Sequence, residues 1–197
     1  MVLPGTSQAA ALLSGASGAT VLQGLERRRG PGSVERVLAR VRTSTGLDVG
    51  RGSFHPRSWH PIGLHLALLR EIHEETGRDA DALRALGRES AAAVEDAVPG
   101  ARLLLRLASP KRLLKHAPAL WRTYARFGDA QATEVAPRQG RIAFSGFETS
   151  PLFCRTLEGF FEGLLERTGA RDVRVREVCC MADGAERCEF EGAWRDR

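Results

Sequence analysis

Residues Ser150 to Trp194 read SPLFCRTLEGFFEGLLERTGARDVRVREVCCMADGAERCEFEGAW, and this stretch decides the fold. Ser150 and Pro151 form an N-cap and first-turn pair: a serine side chain accepts a free helical N–H, and proline lacks the one that would go unpaired. The helix they open is expected to run to about Thr168, with Gly169 as the left-handed residue that ends it. Cys154, Leu157, Phe161 and Leu164 share one face, which turns Cys154 toward the core. A strand from about Asp172 to Met181, a turn at Asp183-Gly184 and a return strand from about Arg187 to Trp194 complete a helix followed by a β-hairpin.

Cys154, Glu177, Cys180 and Cys188 fall in this stretch as a cysteine followed by Glu-x2-Cys-x7-Cys. Three thiolates and a carboxylate make a tetrahedral set for Zn²⁺, and four protein ligands leave no open position for water. Such a site stabilises structure instead of activating a nucleophile. A three-residue loop (Asp183, Gly184, Ala185) sets Cys180 opposite Cys188, whereas a two-residue loop sets Cys179 there. Glu177 and Cys180 have opposite parity on a regular strand, a conflict that a bulge near Val178 and Cys179 removes. The alternative is four reduced, buried cysteines acting as small hydrophobes.

Glu177-x2-Cys180, the Asp183-Gly184 turn, Cys188-x-Phe190 and Trp194 resemble the C-terminal signature of the 4-vinyl reductase domain. The resemblance is to its zinc-containing branch, the sensor domain of aromatic-responsive bacterial transcription activators. It implies a structural zinc on Cys154, Glu177, Cys180 and Cys188, and so favours Cys180 over Cys179. Gly24-Leu25-Glu26-Arg27-Arg28, Trp59-His60-Pro61, Leu86-Gly87-Arg88 and Gly169-Ala170-Arg171-Asp172-Val173 resemble an expanded bacterial family of stand-alone proteins of unknown function. That family is similar to the ligand-binding superfamily that includes haem-nitric-oxide sensors and vesicle-tethering subunits. The resemblance implies a fold, and a homodimer.

The chain has 197 residues, enough for one domain with a real core. Apolar content of 43% and charged content of 27% are ordinary for a globular protein. No apolar run approaches the roughly 18 residues of a transmembrane helix. Residues 1–18 are expected to be a flexible lead-in without a signal-peptide pattern, and residues 19–197 a single ligand-binding domain. Four cysteines are too few for a disulfide scaffold and fit a reducing cytoplasm. The net charge is +5, and Arg102, Arg106, Lys111, Arg112, Lys115, Arg122 and Arg126 occur in one stretch without an acidic residue. Leucines interleave with them, which reads as the solvated side of amphipathic helices, and nucleic-acid binding is not expected.

Outward from the C-terminal stretch, the reading is α+β: a helical layer packed on an antiparallel sheet. A short strand or turn is expected near Thr20 to Leu25, and a helix from Val34 to about Arg42 capped by Ser33. Gly46 to Pro56 is loop-like. Further helices are expected from Pro61 to about Thr76, Asp79 to Val98, Ala101 to Leu107, and Ser109-Pro110 to about Phe127, the last kinked or split by Pro118. Gln131 to Ala136 and Arg141 to Phe144 read as a hairpin around Arg138 to Gly140.

No nucleophile elbow, P-loop or dinucleotide fingerprint occurs, so no enzyme activity and no catalytic residues are expected. His65 and His73 are eight residues apart, not a chelating pair, and no histidine matches a haem ligand; surface or capping roles are expected for all five histidines. A ligand pocket between helices and sheet is expected, lined by Trp121, Tyr124, Phe127, Phe144, Phe147, Phe153 and Phe160, with Tyr124 able to bond a hydroxyl. The alternative is that these aromatics are core. Gly159 and Gly163 leave a bare stripe on the Cys154 helix for close approach of the sheet or of another subunit. The sequence thus reads as a cytoplasmic, non-enzymatic sensor or adaptor for a small apolar or aromatic ligand, with a downstream protein partner. An interaction scaffold without a ligand is the alternative.

Overall fold

The computed structural model describes residues 11–94, 105 and 108–196. In chain order these are β1 (Leu12–Ser14), α1 (Gly15–Arg29), α2 (Ser33–Thr45), β2 (Trp59–Pro61), α3 (Ile62–Glu75), α4 (Ala80–Ser90), α5 (Pro110–Tyr124), β3 (Asp129–Ala136), β4 (Gln139–Ser145), α6 (Pro151–Arg167), β5 (Arg171–Cys179) and β6 (Cys188–Arg195). The strands β3-β4-β6-β5 form one antiparallel sheet, and β1 pairs separately with β2. The architecture is α+β, helices against an antiparallel sheet.

The core is aliphatic among the N-terminal helices and aromatic against the sheet. Val21, Leu22 and Leu25 of α1 meet Val34, Val37 and Val41 of α2 and Leu68, Leu69 and Ile72 of α3, all buried. Phe144 of β4, Phe161 of α6 and Phe190 of β6 pack ring on ring, with centroids 5.6–6.0 Å apart. Each fully buried side chain of this size contributes about 1.5–3 kcal/mol against exposure.

Helix α6 begins where Ser150 accepts the Phe153 N–H and stops at Gly169, whose φ is 85°. It covers β5, the sheet's edge, in a specific way. Glu162 Oε1 accepts the Val175 N–H at 3.2 Å, and Glu158 Oε1 accepts the Glu177 N–H at 2.7 Å. Buried carboxylates thereby satisfy N–H groups that an edge strand would otherwise leave open. Arg84 of α4 holds Glu162 at 2.5 Å and also reaches the Val175 carbonyl.

The bare stripe of α6 packs within the chain, against α4. A Cβ on Gly159 would stand 1.8 Å from the Arg84 carbonyl oxygen, and one on Gly87 would stand 2.0 Å from that of Thr156. The two backbones approach until only glycine fits.

Several expectations are corrected. Thr20 to Leu25 lies inside α1, whose glycines mark close approach instead of a turn: a Cβ on Gly18 would strike Phe54, and one on Gly24 would strike Leu86. Residues 11–18, expected in a lead-in, form β1 and the start of α1, and the buried Leu13 pairs with His60. The α2 cap is Gly32 at φ 86°, while Ser33 is the first helical residue and donates its hydroxyl to the Gly30 carbonyl. Pro118 does not split α5. The inward face of that helix packs on β3 and β4, which offsets the roughly 3 kcal/mol a mid-helix proline costs. Helix α4 ends at Ser90, and the expected Ala101–Leu107 helix lies outside the described residues apart from Leu105.

Candidate functional site

Helix α6 presents Cys154, the end of β5 presents Glu177, and the β5–β6 connection brings Cys180 and Cys188 beside them. One ligand atom from each lies within 4.8 Å of all the others. The sulfur separations are 3.4 Å for Cys154–Cys188, 3.7 Å for Cys154–Cys180 and 3.9 Å for Cys188–Cys180. These are far beyond a disulfide bond of about 2.05 Å, and all four cysteines are free. A tetrahedral ion with metal–sulfur bonds of about 2.3 Å sets its sulfurs about 3.8 Å apart, so the donor set fits one.

The surroundings also fit. Glu177 Oε1 is buried and finds no hydrogen-bond donor. Its backbone is held by Glu158, which fixes where the carboxylate stands. The Met181 N–H donates to Cys188 Sγ at 3.3 Å, and the Thr149 hydroxyl lies 3.6 Å from Cys154 Sγ, contacts that orient thiolate ligands. The Cys154 thiol donates to Cys188, which lowers the Cys188 pKa to about 7 and raises that of Cys154. Burial pushes Cys180 up to about 12. Cys188 is thus the thiol of the cluster most easily deprotonated, and a cation is what would draw protons from the others.

A register shift between Glu177 and Cys179, leaving Val178 outside the ladder, produces the bulge that parity demanded. Neither short loop is observed. Cys179 stands opposite Glu189, Cys188 pairs across to Phe144, and a 3-10 turn over Met181–Asp183 fills a longer connection. The Ala185 N–H bonds the Cys180 carbonyl, which curls that connection so that Cys180 faces the cluster. Cys179 is turned away, its thiol donating to the Arg187 carbonyl.

A cavity of about 130 Å³ lies between the helices and the sheet. Trp121 and Tyr124 of α5, Phe144 of β4, and Phe153 and Phe160 of α6 line it. Phe147 and Phe127 are not in the lining; they pack on Trp121 from outside, with centroids 5.8 and 5.6 Å away. Trp121 already donates its indole N–H to the Phe127 carbonyl. The Tyr124 hydroxyl is buried without a partner, and burial raises its pKa.

Sequence reading missed His65. With Leu68, Leu69 and Ile72 it occupies the buried face of α3, a spacing that was there to be read. His65 and His60 are not surface or capping residues. Both are buried, their rings stack at 5.9 Å, and His65 Nδ1 and both His60 nitrogens have no partner. Burial lowers the pKa of His60 to about 4 and of His65 to about 3, so both are uncharged at neutral pH. His65 lines the cavity; His60 does not. The described part of the basic stretch is a solvated face: Lys111, Arg112, Lys115, Arg122 and Arg126 are exposed, with Lys111 paired to Glu134 and Arg126 over the Trp59 ring. Arg102 and Arg106 lie outside the described residues.

The fold is that of the H-NOX proteins. The chain superposes on the S. oneidensis H-NOX protein, a triple mutant in the Fe(II) ligation state, with TM-score 0.69 at 12% identity, covering 93% of this chain and 97% of that one. Against the unliganded Fe(II) H-NOX protein from K. algicida the TM-score is 0.67 at 13% identity, covering 94% and 98%. Against a Cs H-NOX variant carrying 4-cyano-L-phenylalanine it is 0.67 at 16% identity, covering 93% and 97%. By sequence, residues 62–195 match the family described as "Protein of unknown function (DUF2378)", and the chain belongs to that family. No curated protein matches it. Among the described residues no helix is long and apolar enough to cross a membrane.

Haem distortion has been probed in the H-NOX family. The described lining of the cavity does not fit that group. The cavity is smaller than the roughly 300–1,000 Å³ of pockets for drug-sized ligands. Among the described residues its lining holds no arginine or lysine to meet the two carboxylates of a haem. It is of the order of the roughly 150 Å³ apolar cavity known to take benzene.

Proposed function

We propose that this protein is a non-enzymatic sensor or adaptor domain of the 4-vinyl reductase type that binds a small apolar or aromatic molecule and is stapled by one structural zinc. The observation that carries the ligand reading is the apolar cavity lined by Trp121, Phe144 and Phe153, sized for a single ring. Cys154, Glu177, Cys180 and Cys188 would hold the zinc. The ion would tie α6 to the β5–β6 connection and, with four protein ligands, would leave no position for substrate water. The four free thiols support a reducing, cytoplasmic setting. Signalling would pass through a homodimer to a protein partner.

The small cavity favours one second reading, an interaction scaffold in which the aromatics are core alone. Melting curves with benzene, toluene and phenol separate the two. A ligand-binding domain gains stability with concentration as RT ln(1 + [L]/Kd), rising logarithmically above Kd. A scaffold melts at one temperature throughout.

A further inference from the structure

We propose that the outer edge of β3, with the cationic side of α5 running along it, is a docking groove for an extended acidic segment of a protein partner, which adds to the four-stranded sheet as a further strand. This rests on the reading above only for the partner; neither the cavity nor the zinc enters it.

The two edges of the sheet are treated differently. On β5 the N–H groups of Val175 and Glu177 are taken by the buried carboxylates of Glu162 and Glu158. On β3, beyond the ladder with β4, the backbone groups find no partner among the described residues. Every second N–H and C=O of an edge strand points outward, so β3 presents an unfilled template. Its middle, Ala130-Gln131-Ala132-Thr133, holds neither proline nor charge, the residues that commonly blunt an edge. A bulge between Glu134 and Ala136 ends the regular part at the turn.

Helix α5 lies back along this edge. At one end the Lys111 ammonium meets the Glu134 carboxylate at 2.6 Å; at the other the Trp121 ring packs 4.5 Å from Phe144, the cross-strand partner of Ala130. Lys111, Lys115 and Arg122 follow one another at steps of four and seven, which puts them on one side of the helix. The Lys111 contact fixes that side as the one beside β3. The three cations span about 17 Å of helix, and Asp129 to Glu134 spans about 17 Å of strand, so the charges run the length of the open edge. Lys115 and Arg122 are exposed and have no ion pair among the described residues, whereas Arg84, Arg88, Arg141 and Arg155 each meet a carboxylate.

The unmatched charge selects the occupant. A strand added to β3 points alternate side chains toward α5, where acids would meet Lys115 and Arg122 while main-chain bonds supply the rest. A second copy fits poorly: antiparallel pairing of two β3 edges puts both α5 helices on one face, and their cations meet like against like. The exposed side of α5 offers neither a large apolar side chain to a lipid surface nor a Phe, Tyr or Trp to the bases of a nucleic acid.

The test is calorimetric titration of the full chain at low salt with a short capped peptide alternating threonine and glutamate. Its lysine counterpart and the glutamate peptide methylated at every backbone nitrogen are the controls. The glutamate peptide is expected to bind, to weaken as salt rises, and to protect β3 amides from hydrogen exchange. The lysine peptide is expected not to bind, and the methylated one, without donors for the edge, to bind at least about tenfold more weakly. The surface double variant Lys115→Glu/Arg122→Glu should melt close to wild type and lose about tenfold or more in affinity for the glutamate peptide. Failure of the glutamate peptide to bind wild type overturns the groove, as does equal binding of either control or unchanged affinity in the double variant. Displacement of the peptide by oligothymidine would make this face a nucleic-acid surface and overturns it too. These outcomes are independent of the melting curves above: a chain that takes the peptide but no aromatic molecule fails the ligand reading alone.

Discussion

Cys154 Sγ, one turn into α6, lies 3.4 Å from Cys188 Sγ at the first residue of β6, so two elements 34 residues apart in sequence meet through sulfur. Cys180 completes the triangle, while the neighbouring Cys179 bonds a carbonyl outside it. Cys180→Ser is expected to cost about 4 kcal/mol or more, the loss typical of a structural metal. At about 2–4 °C per kcal/mol for a chain of this size, its melting temperature should drop by roughly 8–16 °C. Cys179→Ser should melt within about a degree or two of wild type, since surface substitutions stay within about 0.5 kcal/mol. Equal losses in the two variants would remove Cys180 from the site.

Gly159 has no room for a methyl group, because its Cβ would stand 1.8 Å from a backbone oxygen of α4 that cannot rotate away. Gly159→Ala should destabilise by about 1–3 kcal/mol, the usual cost of overpacking. Chemical denaturation reads this as a lower midpoint at unchanged slope. A variant as stable as wild type would mean the two helices separate freely.

Glu162 accepts from both the Val175 N–H and Arg84, and its removal strands an edge N–H and a half-covered guanidinium together. Glu162→Ala should cost about 3 kcal/mol. Glu162→Gln keeps an acceptor for the N–H and should cost clearly less. If the two melt alike, the carboxylate acts only through its charge on Arg84.

The buried histidines make stability depend on pH with a definite sign. Their folded pKa values, about 4 for His60 and about 3 for His65, lie below the 6.5 of the free side chain. Between these limits the unfolded chain binds more protons, so folding weakens as pH falls. Each histidine contributes a slope of about 1.4 kcal/mol per pH unit below about pH 6, and none above about pH 7. His65→Leu should be shallower than wild type by that amount between pH 6 and pH 5. The cysteine cluster is common to both proteins and cancels from the difference. Parallel curves would show that His65 titrates freely in the folded state.

Much of this was legible where local chemistry dominates. Ser150-Pro151 and Gly169 bound α6 because capping is a short-range matter, and the opposite parity of Glu177 and Cys180 pointed to the bulge found at Val178. The strand or turn expected near Thr20 to Leu25 is instead helix α1, where Gly18 and Gly24 are small because of Phe54 and Leu86, far along the chain. The β5–β6 connection escaped for a similar cause, since its length is set by the 3-10 turn that carries Cys180 to Cys154. For the cavity, the aromatic ring of candidates was readable. Its boundary, which omits Phe127 and Phe147 and includes His65, depends on how α3 packs on α6 and α5 on the sheet.

The most direct test of the zinc-stapled domain is elemental analysis of freshly purified protein beside Cys188→Ser. The expected result is about one zinc per chain in wild type and almost none in the variant, with a large fall in melting temperature. Wild-type protein without zinc, melting where Cys188→Ser melts, would contradict it and return the four cysteines to the core as packing residues.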